Sequence, residues 1–259
     1  MNPLPASELS LEQKIWRYMD LTRFLLLLAR GSLFFASLSQ LDDPYEGYMP
    51  RSHVKEWSAI LGKHFQDIAR LKAEVAASGR AGVAKAFDTI EADLRQNMTF
   101  RGIGAMFGVS CWHANDYESE AMWKVYSIMG AGVAIESTVE RLRDVLAPTE
   151  GVTINRVKYE DFDTAPIVRD TDPHILTTKR WSFEHEHEVR AMIPLPRAGE
   201  GIEIPCDLDR LIVRVHVAPT ASLMFLRAVE VLCSGIIQGR KFATLRSRLF
   251  EPPDYDLVP

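Results

Sequence analysis

The sequence predicts an α+β fold, in which a mixed sheet is flanked by helices and interrupted by a helical insertion. Short apolar runs rich in β-branched and aromatic residues recur along the chain, as in SLFFAS at 32–37 and LIVRVHVA at 211–218. Segments whose apolar residues are spaced at three and four positions alternate with these runs. Residues 51–100 have few strand signals and are rich in the helical pattern. We therefore predict one domain over residues 1–259, with a helical insertion at about 51–100.

The elements before residue 100 follow from local signals. KIWRYM at 14–19 indicates a first strand, Asp20 can cap a helix over 21–30, and Gly31 is well placed to end that helix. SLFFAS is a second strand, and SQLDDPYEGYMP at 39–50 has the Asp, Pro and Gly content of a loop. Within the insertion, ASGRAG at 77–82 divides the helical pattern into two helices.

The elements after residue 100 alternate between strands and helices. Predicted strands are AMFGVSCW at 105–112, GAGVAIES at 130–137, GVTINRVKYE at 151–160, HEVRAMIPL at 187–195, GIEIPC at 201–206 and LIVRVHVA. Predicted helices are YESEAMWKVY at 117–126, TVERLRDVL at 138–146 and TASLMFLRAVEVLCSGI at 220–236, with Gly235 at its end. Residues 161–180 are predicted to be irregular, with one helical turn.

The stretch FEHEHEVR at 183–190 alternates acidic and histidine residues. As a strand, it would place Glu184, Glu186, Glu188 and Arg190 on one face. We expect this face to be the floor of a ligand cleft, with Arg190 and Lys179 holding the carboxylates and repulsion raising the pKa of one of them. The alternative is an edge strand whose charges form solvated ion pairs, and Glu184 fits this alternative best.

Composition narrows the function classes. A net charge of -5 gives no overall basic signature for nucleic acid, although a local basic patch is not excluded. Three widely spaced cysteines indicate reduced thiols in a cytoplasm. The longest apolar run, FLLLLA at 24–29, is far shorter than the about 20 residues of a membrane span. The glycines of GIGAMFG miss the dinucleotide-binding spacing, and no phosphate loop with GKS or GKT occurs.

Five motifs stand in a fixed order: RYMDL, GSLFFASLSQLDDPYEG, SCWHANDYESEAMWKVYSIMGAGVAIES, VKY and TTKRWSFEHEHEVRAMI. In this order they resemble the DUF2971 family of bacterial proteins of unknown function, over about residues 15–193. This sequence departs from the family pattern at Asp42, where Asn is usual, and in its long 51–100 segment. The positions that match the pattern are Arg17, Tyr18, Asp43, Pro44, Glu46, Ser110, Cys111, Met122, Trp123, Tyr126, Gly132, Lys179, Glu186, Glu188 and Arg190.

The order of a basic residue, a Tyr or Ser, and a late Glu also resembles ADP-ribosyltransferase-like folds. That resemblance implies a twisted, split sheet that grips NAD, and a setting in phage defence or a toxin system. It implies catalytic roles for Glu188, Glu186 and Tyr126, because a carboxylate stabilises the positive charge that develops on the ribose. It implies ligand-binding roles for the following residues: Arg17, Tyr18, Ser110, Glu46, Lys179 and Arg190. We therefore expect the strands that carry Arg17, Ser110 and Glu188 to lie in one sheet, with their polar side chains converging in one cleft.

Other interpretations of the same residues remain open. A non-catalytic protein would use the same charged pocket for a nucleotide or a peptide. His185 and His187 would bind a metal only if Glu46, Asp43 or His113 completed the ligand set, and paired surface histidines are more often not ligands. Cys111 is more simply a small buried hydrophobe than a nucleophile. Met122 and Trp123 are expected in the core, with the Tyr126 hydroxyl at a pocket rim.

Overall fold

The structure is a computed structural model that describes residues 9–79, 83, 85–89, 91–92, 100–127, 130–165 and 174–252. The strands are β1 Lys14–Asp20, β2 Ser32–Ser37, β3 Phe107–Ala114, β4 Gly132–Thr138, β5 Thr153–Arg156, β6 Lys158–Glu160, β7 Thr178–Arg180, β8 Glu188–Pro194, β9 Ile202–Pro205, β10 Arg214–Val217 and β11 Thr244–Arg246. The helices are α1 Leu21–Arg30, α2 Arg51–Ala77, α3 Phe100–Ala105, α4 Glu120–Tyr126, α5 Val139–Leu146, α6 His174–Thr177, α7 Leu208–Leu211 and α8 Leu223–Leu232. Within the described residues, 3₁₀ turns cover Leu38–Gln40 and Trp181–Glu186.

Nine strands form one mixed sheet, which confirms the predicted α+β class. Its order is β11-β10-β4-β1-β3-β2-β9, and β8 pairs with both β3 and β5. The pairs within it are antiparallel except β10–β11, which is parallel. Strands β6 and β7 form a separate parallel pair. Among the described residues, no helix combines the length and the apolar composition that crossing a bilayer requires.

The sheet divides beside the middle of β3. Strand β8 pairs with β3 along residues 107–113 on one edge. The other edge is shared, because β1 pairs with His113 and Ala114 while β2 pairs with Gly108 and Val109. Strands β1 and β2 therefore diverge beside residues 110–112, and we call this gap the fork.

Helix α1 begins and ends where the sequence predicts. The Asp20 carboxylate accepts a hydrogen bond from the Arg23 backbone N–H at 2.8 Å, which caps the first turn. Gly31 ends the helix in the left-handed region, at a φ of 61°, and its N–H donates to the Leu27 carbonyl oxygen. The buried face of α1, which includes Phe24, joins the main core between sheet and helices.

Helix α2 accounts for much of the predicted insertion. Among its described side chains only His53, in the first turn, is buried, and the others are half-buried or exposed. None of the described residues between 58 and 92 is buried. The predicted break at 77–82 lies partly outside the described residues. Helix α2 therefore extends from the fold as a mostly solvated element.

Three predicted strands are wrong in their extent. Residues 183–190 are not one strand, because Trp181–Glu186 is a 3₁₀ turn and β8 begins only at Glu188. The predicted strand at 151–160 is two strands, β5 and β6, that belong to different sheets. In LIVRVHVA, Leu211 belongs to α7, because the Asp207 side chain caps that helix by accepting from two backbone N–H groups.

Candidate active site

Arg190 is the centre of a buried ion cluster. Its side chain is fully buried, and each of its five N–H groups has an acceptor. Nε and Nη2 donate to the two carboxylate oxygens of Glu188 at 2.8 and 2.9 Å. Nη1 and Nη2 donate to the two oxygens of Glu46 at 3.2 Å, and Nη1 also donates to the Leu176 carbonyl oxygen at 2.7 Å. The guanidinium thus fastens the 39–50 loop to strand β8.

Lys179 completes this cluster from strand β7. Its Nζ lies 3.1 Å from Glu46 Oε1, 2.5 Å from Glu186 Oε2 and 3.5 Å from Glu188 Oε2. We call these four residues, together with Arg190, the glutamate cluster. Three carboxylates and two cations leave it one negative charge. Lys179 and Arg190 thus hold the carboxylates of Glu186 and Glu188, as expected from the sequence, and Glu46 joins them from the 39–50 loop.

The two C-terminal glutamates of the cluster differ in acidity. Burial alone would raise the pKa of Glu188, but Arg190 and then Lys179 outweigh it and lower the pKa to about 2. Burial also raises the pKa of Glu186, and there Lys179 only partly opposes it. Glu188 is therefore ionised and fully engaged. Glu186, whose side chain is 24% exposed, is the carboxylate of the pair that a ligand can reach.

A left-handed residue separates these two glutamates. His187 has a φ of 40°, which a non-glycine residue rarely adopts, and its N–H donates to the Glu184 carbonyl oxygen. The prediction that Glu184, Glu186, Glu188 and Arg190 share one strand face is therefore wrong. The turn leaves Glu184 exposed to solvent, which agrees with the alternative that its charge is solvated. The same turn presents Glu186 to a cavity.

A cavity of about 330 Å³ lies over the glutamate cluster. We call it the acidic cavity, because the only cation in its lining is Lys179, against five carboxylates. Aromatic and sulfur-containing side chains form much of the remaining wall. Its lining includes Asp42, Asp43, Glu46, Glu186, Glu188, Lys179, Tyr18, Tyr126, Met122, Cys111 and Phe183.

A second cavity, of about 490 Å³, contains Arg17 and is called the arginine cavity. Arg17 Nη2 donates to the Phe34 carbonyl oxygen at 3.1 Å, and the guanidinium lies 5.8 Å from the centre of the Trp112 ring. Arg17 Nη1 is buried with no hydrogen-bond partner. Burial lowers the pKa of Arg17. Among the described residues no carboxylate pairs with it, whereas Arg23 and Arg30 in the same lining have acidic partners.

Arg17 and Glu188 do not share one cavity. Trp16 lies opposite His113, which in turn lies opposite Glu188, so Trp16 and Glu188 are on the same face of the sheet and Arg17 is on the other. The prediction that the Arg17 and Glu188 side chains converge in one cleft is therefore wrong. The two cavities nevertheless adjoin at the fork, where they share the lining residues Tyr18, Leu41, Cys111 and Tyr126.

Two of the predicted ligand-binding residues have structural partners instead. Ser110 is buried, accepts a hydrogen bond from Trp112 Nε1 at 3.2 Å, and lines neither cavity. The Tyr18 hydroxyl accepts from the Ser119 backbone N–H at 2.9 Å. The Tyr18 ring still lines both cavities, edge to face with Trp123. Ser110 therefore contributes to the core of β3 and not to the candidate site.

Tyr126 lies where the cavities meet, at the end of α4. Burial, together with smaller contributions from Cys111 and the two C-terminal glutamates, raises its pKa to about 12. Its hydroxyl is therefore protonated at neutral pH and available as a hydrogen-bond donor. Burial likewise raises the pKa of Cys111, which keeps its thiol protonated and agrees with the hydrophobic interpretation. Met122 and Trp123 are buried, as predicted.

Sequence reasoning missed two supports of the site. The Tyr159 hydroxyl accepts a hydrogen bond from the Glu188 backbone N–H at 2.8 Å, at the residue where β8 begins. Arg180 Nη2 lies 2.7 Å from Asp43, which fixes the 39–50 loop beside Lys179. Tyr159 belongs to the VKY motif, so its place in that motif could have indicated a role in the site. The Arg180–Asp43 pair joins residues far apart in sequence, and no sequence pattern indicated that they would meet.

The metal interpretation has no support in the geometry. Among the described residues, no group of three or more His, Cys, Asp and Glu side chains is arranged to hold a metal ion. His185 and His187 are both exposed. His113 Nδ1 is within hydrogen-bond distance, 2.6 Å, of the Glu186 carbonyl oxygen, and so it supports the turn that carries Glu186.

Comparisons with known proteins add no relative. No protein-family model matches the chain, and searches of curated proteins and of solved structures gave no significant match. The resemblance to the DUF2971 family and to ADP-ribosyltransferase-like folds therefore stays a prediction.

Proposed function

We propose that this protein is an ADP-ribosyltransferase-like enzyme that binds NAD across the fork and breaks its N-glycosidic bond. The observation that carries this proposal is the opposite charge of two adjoining cavities. The arginine cavity offers a buried cation with an unpartnered N–H donor, and the acidic cavity has an excess of carboxylates. NAD has a matching polarity, because an anionic pyrophosphate is linked to a ribose that carries a cationic nicotinamide.

Arg17 supplies the pyrophosphate contact in this proposal. A guanidinium binds phosphate oxygens through directed N–H donors, and it does so most strongly where water is excluded. Arg17 Nη1 is buried and unpartnered, whereas Nη2 already donates to Phe34. One donor is therefore available without breaking an existing contact. Because Arg17 and Glu188 lie on opposite faces of the sheet, the ligand has to pass Tyr18 and Tyr126 at the fork.

Glu186 is the catalytic residue that we propose. Cleavage sends the electron pair of the bond between ribose and nicotinamide to the nicotinamide nitrogen, which leaves as neutral nicotinamide. Positive charge develops on the ribose, and a carboxylate close to it stabilises that charge. Both oxygens of Glu188 are held by Arg190, so Glu186 is the carboxylate that can face the ribose. Glu186 then accepts the proton that the acceptor nucleophile, or water, loses when it bonds to the ribose.

Nicotinamide release is the test. We expect the purified protein to release nicotinamide from NAD, measured by liquid chromatography. Glu186→Gln should lower that rate by at least about 100-fold, within the usual range for removing a general acid–base group, with no fall in melting temperature. Glu184→Gln, an exposed glutamate two residues away, is the matched control and should retain full activity. A fully active Glu186→Gln protein would exclude the proposed role of Glu186.

The second candidate is a non-catalytic nucleotide-binding protein. Both carboxylate oxygens of Glu188 accept hydrogen bonds from Arg190, and a carboxylate bound in this way is typical of a structural ion pair. This observation favours the non-catalytic candidate. Calorimetry separates the two functions, because this candidate predicts NAD binding with no nicotinamide release. Neither binding nor release would exclude both. We further propose a cytoplasmic location, supported by three cysteines that are all free thiols.

A further inference from the structure

A third cavity lies outside the two cavities at the fork. It has a volume of about 420 Å³ and shares no lining residue with the acidic or the arginine cavity. Its walls include four aromatic side chains: Tyr45, Tyr48, Phe162 and Trp181. Tyr45 contacts Tyr48 and Phe162 with ring centres 6.3 and 6.0 Å apart. We call this cavity, which also includes Glu160 and Arg180, the aromatic pocket.

Trp181 is unusually exposed for its type. Its side chain is 63% exposed, although its Nε1 is held by the Tyr159 carbonyl oxygen at 2.8 Å. Tyr45 is 46% exposed. Large aromatic side chains that border one cavity while remaining open to solvent are typical of a binding surface. The hydrogen bond to Trp181 keeps this aromatic wall in place without a ligand.

Among the described residues, two that line the aromatic pocket each have one buried polar atom without a hydrogen-bond partner. These atoms are Glu160 Oε2, an acceptor, and Arg180 Nε, a donor. Glu160 and Arg180 lie directly opposite each other on the parallel strands β6 and β7. The Arg180 guanidinium is fixed by Asp43 at 2.7 Å and lies 4.0 Å from the centre of the Tyr45 ring. Buried polar groups are rarely left unpartnered, so this matched pair of atoms indicates a ligand that supplies a donor and an acceptor together.

From this geometry we infer that the aromatic pocket binds a purine base. A purine presents N–H donors beside a ring-nitrogen or carbonyl acceptor on one planar edge, which pairs with Glu160 and with Arg180 Nε at once. Its faces stack on aromatic rings and on a guanidinium. A lysine or arginine side chain has donors only and would leave Arg180 Nε unpartnered. The pairing of donor with acceptor, together with the aromatic wall, therefore favours a base.

This site is independent of the proposed function. The Asp43–Arg180 ion pair stands between the two regions, because Asp43 lines the acidic cavity and Arg180 lines the aromatic pocket. A purine base can bind here whether or not the protein acts on NAD. The experiments that test the two ideas therefore use different variants.

Calorimetric titration with AMP and GMP tests the inference. We expect at least one of them to bind, and ribose 5-phosphate, which lacks a base, not to bind. Trp181→Ala and Glu160→Gln should each weaken binding at least tenfold with little change in melting temperature. Tyr117→Ala is the matched control for Trp181, because Tyr117 is 78% exposed and does not line the aromatic pocket.

Three results would overturn the inference. The first is that neither AMP nor GMP binds. The second is that AMP or GMP binds with unchanged affinity in Trp181→Ala and Glu160→Gln, which would assign the nucleotide to a site other than the aromatic pocket. The third is that ribose 5-phosphate or glucose binds as well as the purine nucleotides, which would make the pocket a sugar site.

Discussion

Replacing Glu188 by glutamine should destabilise the protein, and the loss should shrink as the solution is acidified. A carboxylate that only faces a ligand would be neutralised at little cost to folding. Glu188 instead accepts two hydrogen bonds from the buried Arg190 and lies 3.5 Å from Lys179. Removing one partner of a buried ion pair leaves the other charge uncompensated, which is strongly destabilising.

The pKa of Glu188 sets the size of this loss. The pKa falls from the usual 4.5 to about 2 in the folded protein. At 1.36 kcal/mol for each pKa unit, its charge contributes about 3 kcal/mol to the free energy of unfolding at pH 7. Because the folded pKa is depressed, this stabilisation is complete above about pH 5 and is lost as the pH falls toward 2. More than half of it, or about 2 kcal/mol, is gone at pH 3.

Urea denaturation at pH 7 and pH 3 measures the effect. At pH 7, Glu188→Gln should lower the free energy of unfolding by about 3 kcal/mol, which for a chain of this size is about 6–12 °C in melting temperature. At pH 3 the difference from the wild type should be about 1 kcal/mol. The exposed Glu184→Gln should match the wild type at both values. A Glu188→Gln loss that is the same at pH 7 and pH 3, or absent at both, would refute this reasoning.

Three further predictions concern other parts of the fold. Arg17→Met should leave the free energy of unfolding unchanged or raise it, because it removes a buried cation with an unpartnered N–H; a loss above about 1 kcal/mol in urea denaturation would contradict this. Gly31→Ala should lower the free energy of unfolding by about 1–2 kcal/mol, since Gly31 has a φ of 61°, and an unchanged urea midpoint would show that α1 tolerates a side chain there. Replacing residues 58–99 with a short Gly/Ser linker should preserve cooperative thermal unfolding, because the described residues of α2 beyond its first turns are not buried. Loss of cooperativity in that variant would mean that the replaced segment is part of the core.

Local signals were sufficient for much of the fold. Helix α1 has its capping residue, its amphipathic face and its terminal glycine within twelve consecutive positions, from Asp20 to Gly31. The pairing of Glu188 with Arg190 was also predictable, because a buried arginine on an apolar strand requires acidic partners and Glu188 lies two residues away on the same strand. In both cases the physical requirement can be recognised without knowing how distant strands pair.

The failures depend on pairing that the sequence does not reveal. The alternation of Glu and His at 184–188 imitates the two-residue period of a strand, but the left-handed His187 ends the turn before β8 begins. Arg17 and Glu188 lie on opposite faces of the sheet. Which side chains share a face depends on the register of β1 with β3 and of β3 with β8, and the sequence does not reveal that register. No sequence pattern singled out Trp181, because its position in one cavity with Tyr45 depends on how the chain folds.

The hydrogen bonds of Arg190 fix part of the acidic cavity before any ligand binds. Because all of its N–H groups donate within the protein, Glu46 and Glu188 lose their rotational freedom when the chain folds. An incoming molecule then encounters an electrostatic field that is already oriented, and association loses no entropy in ordering these two carboxylates. Glu186, on the short turn before β8, is held less completely than these two carboxylates. The protein therefore combines a preorganised floor with a more adjustable carboxylate beside it.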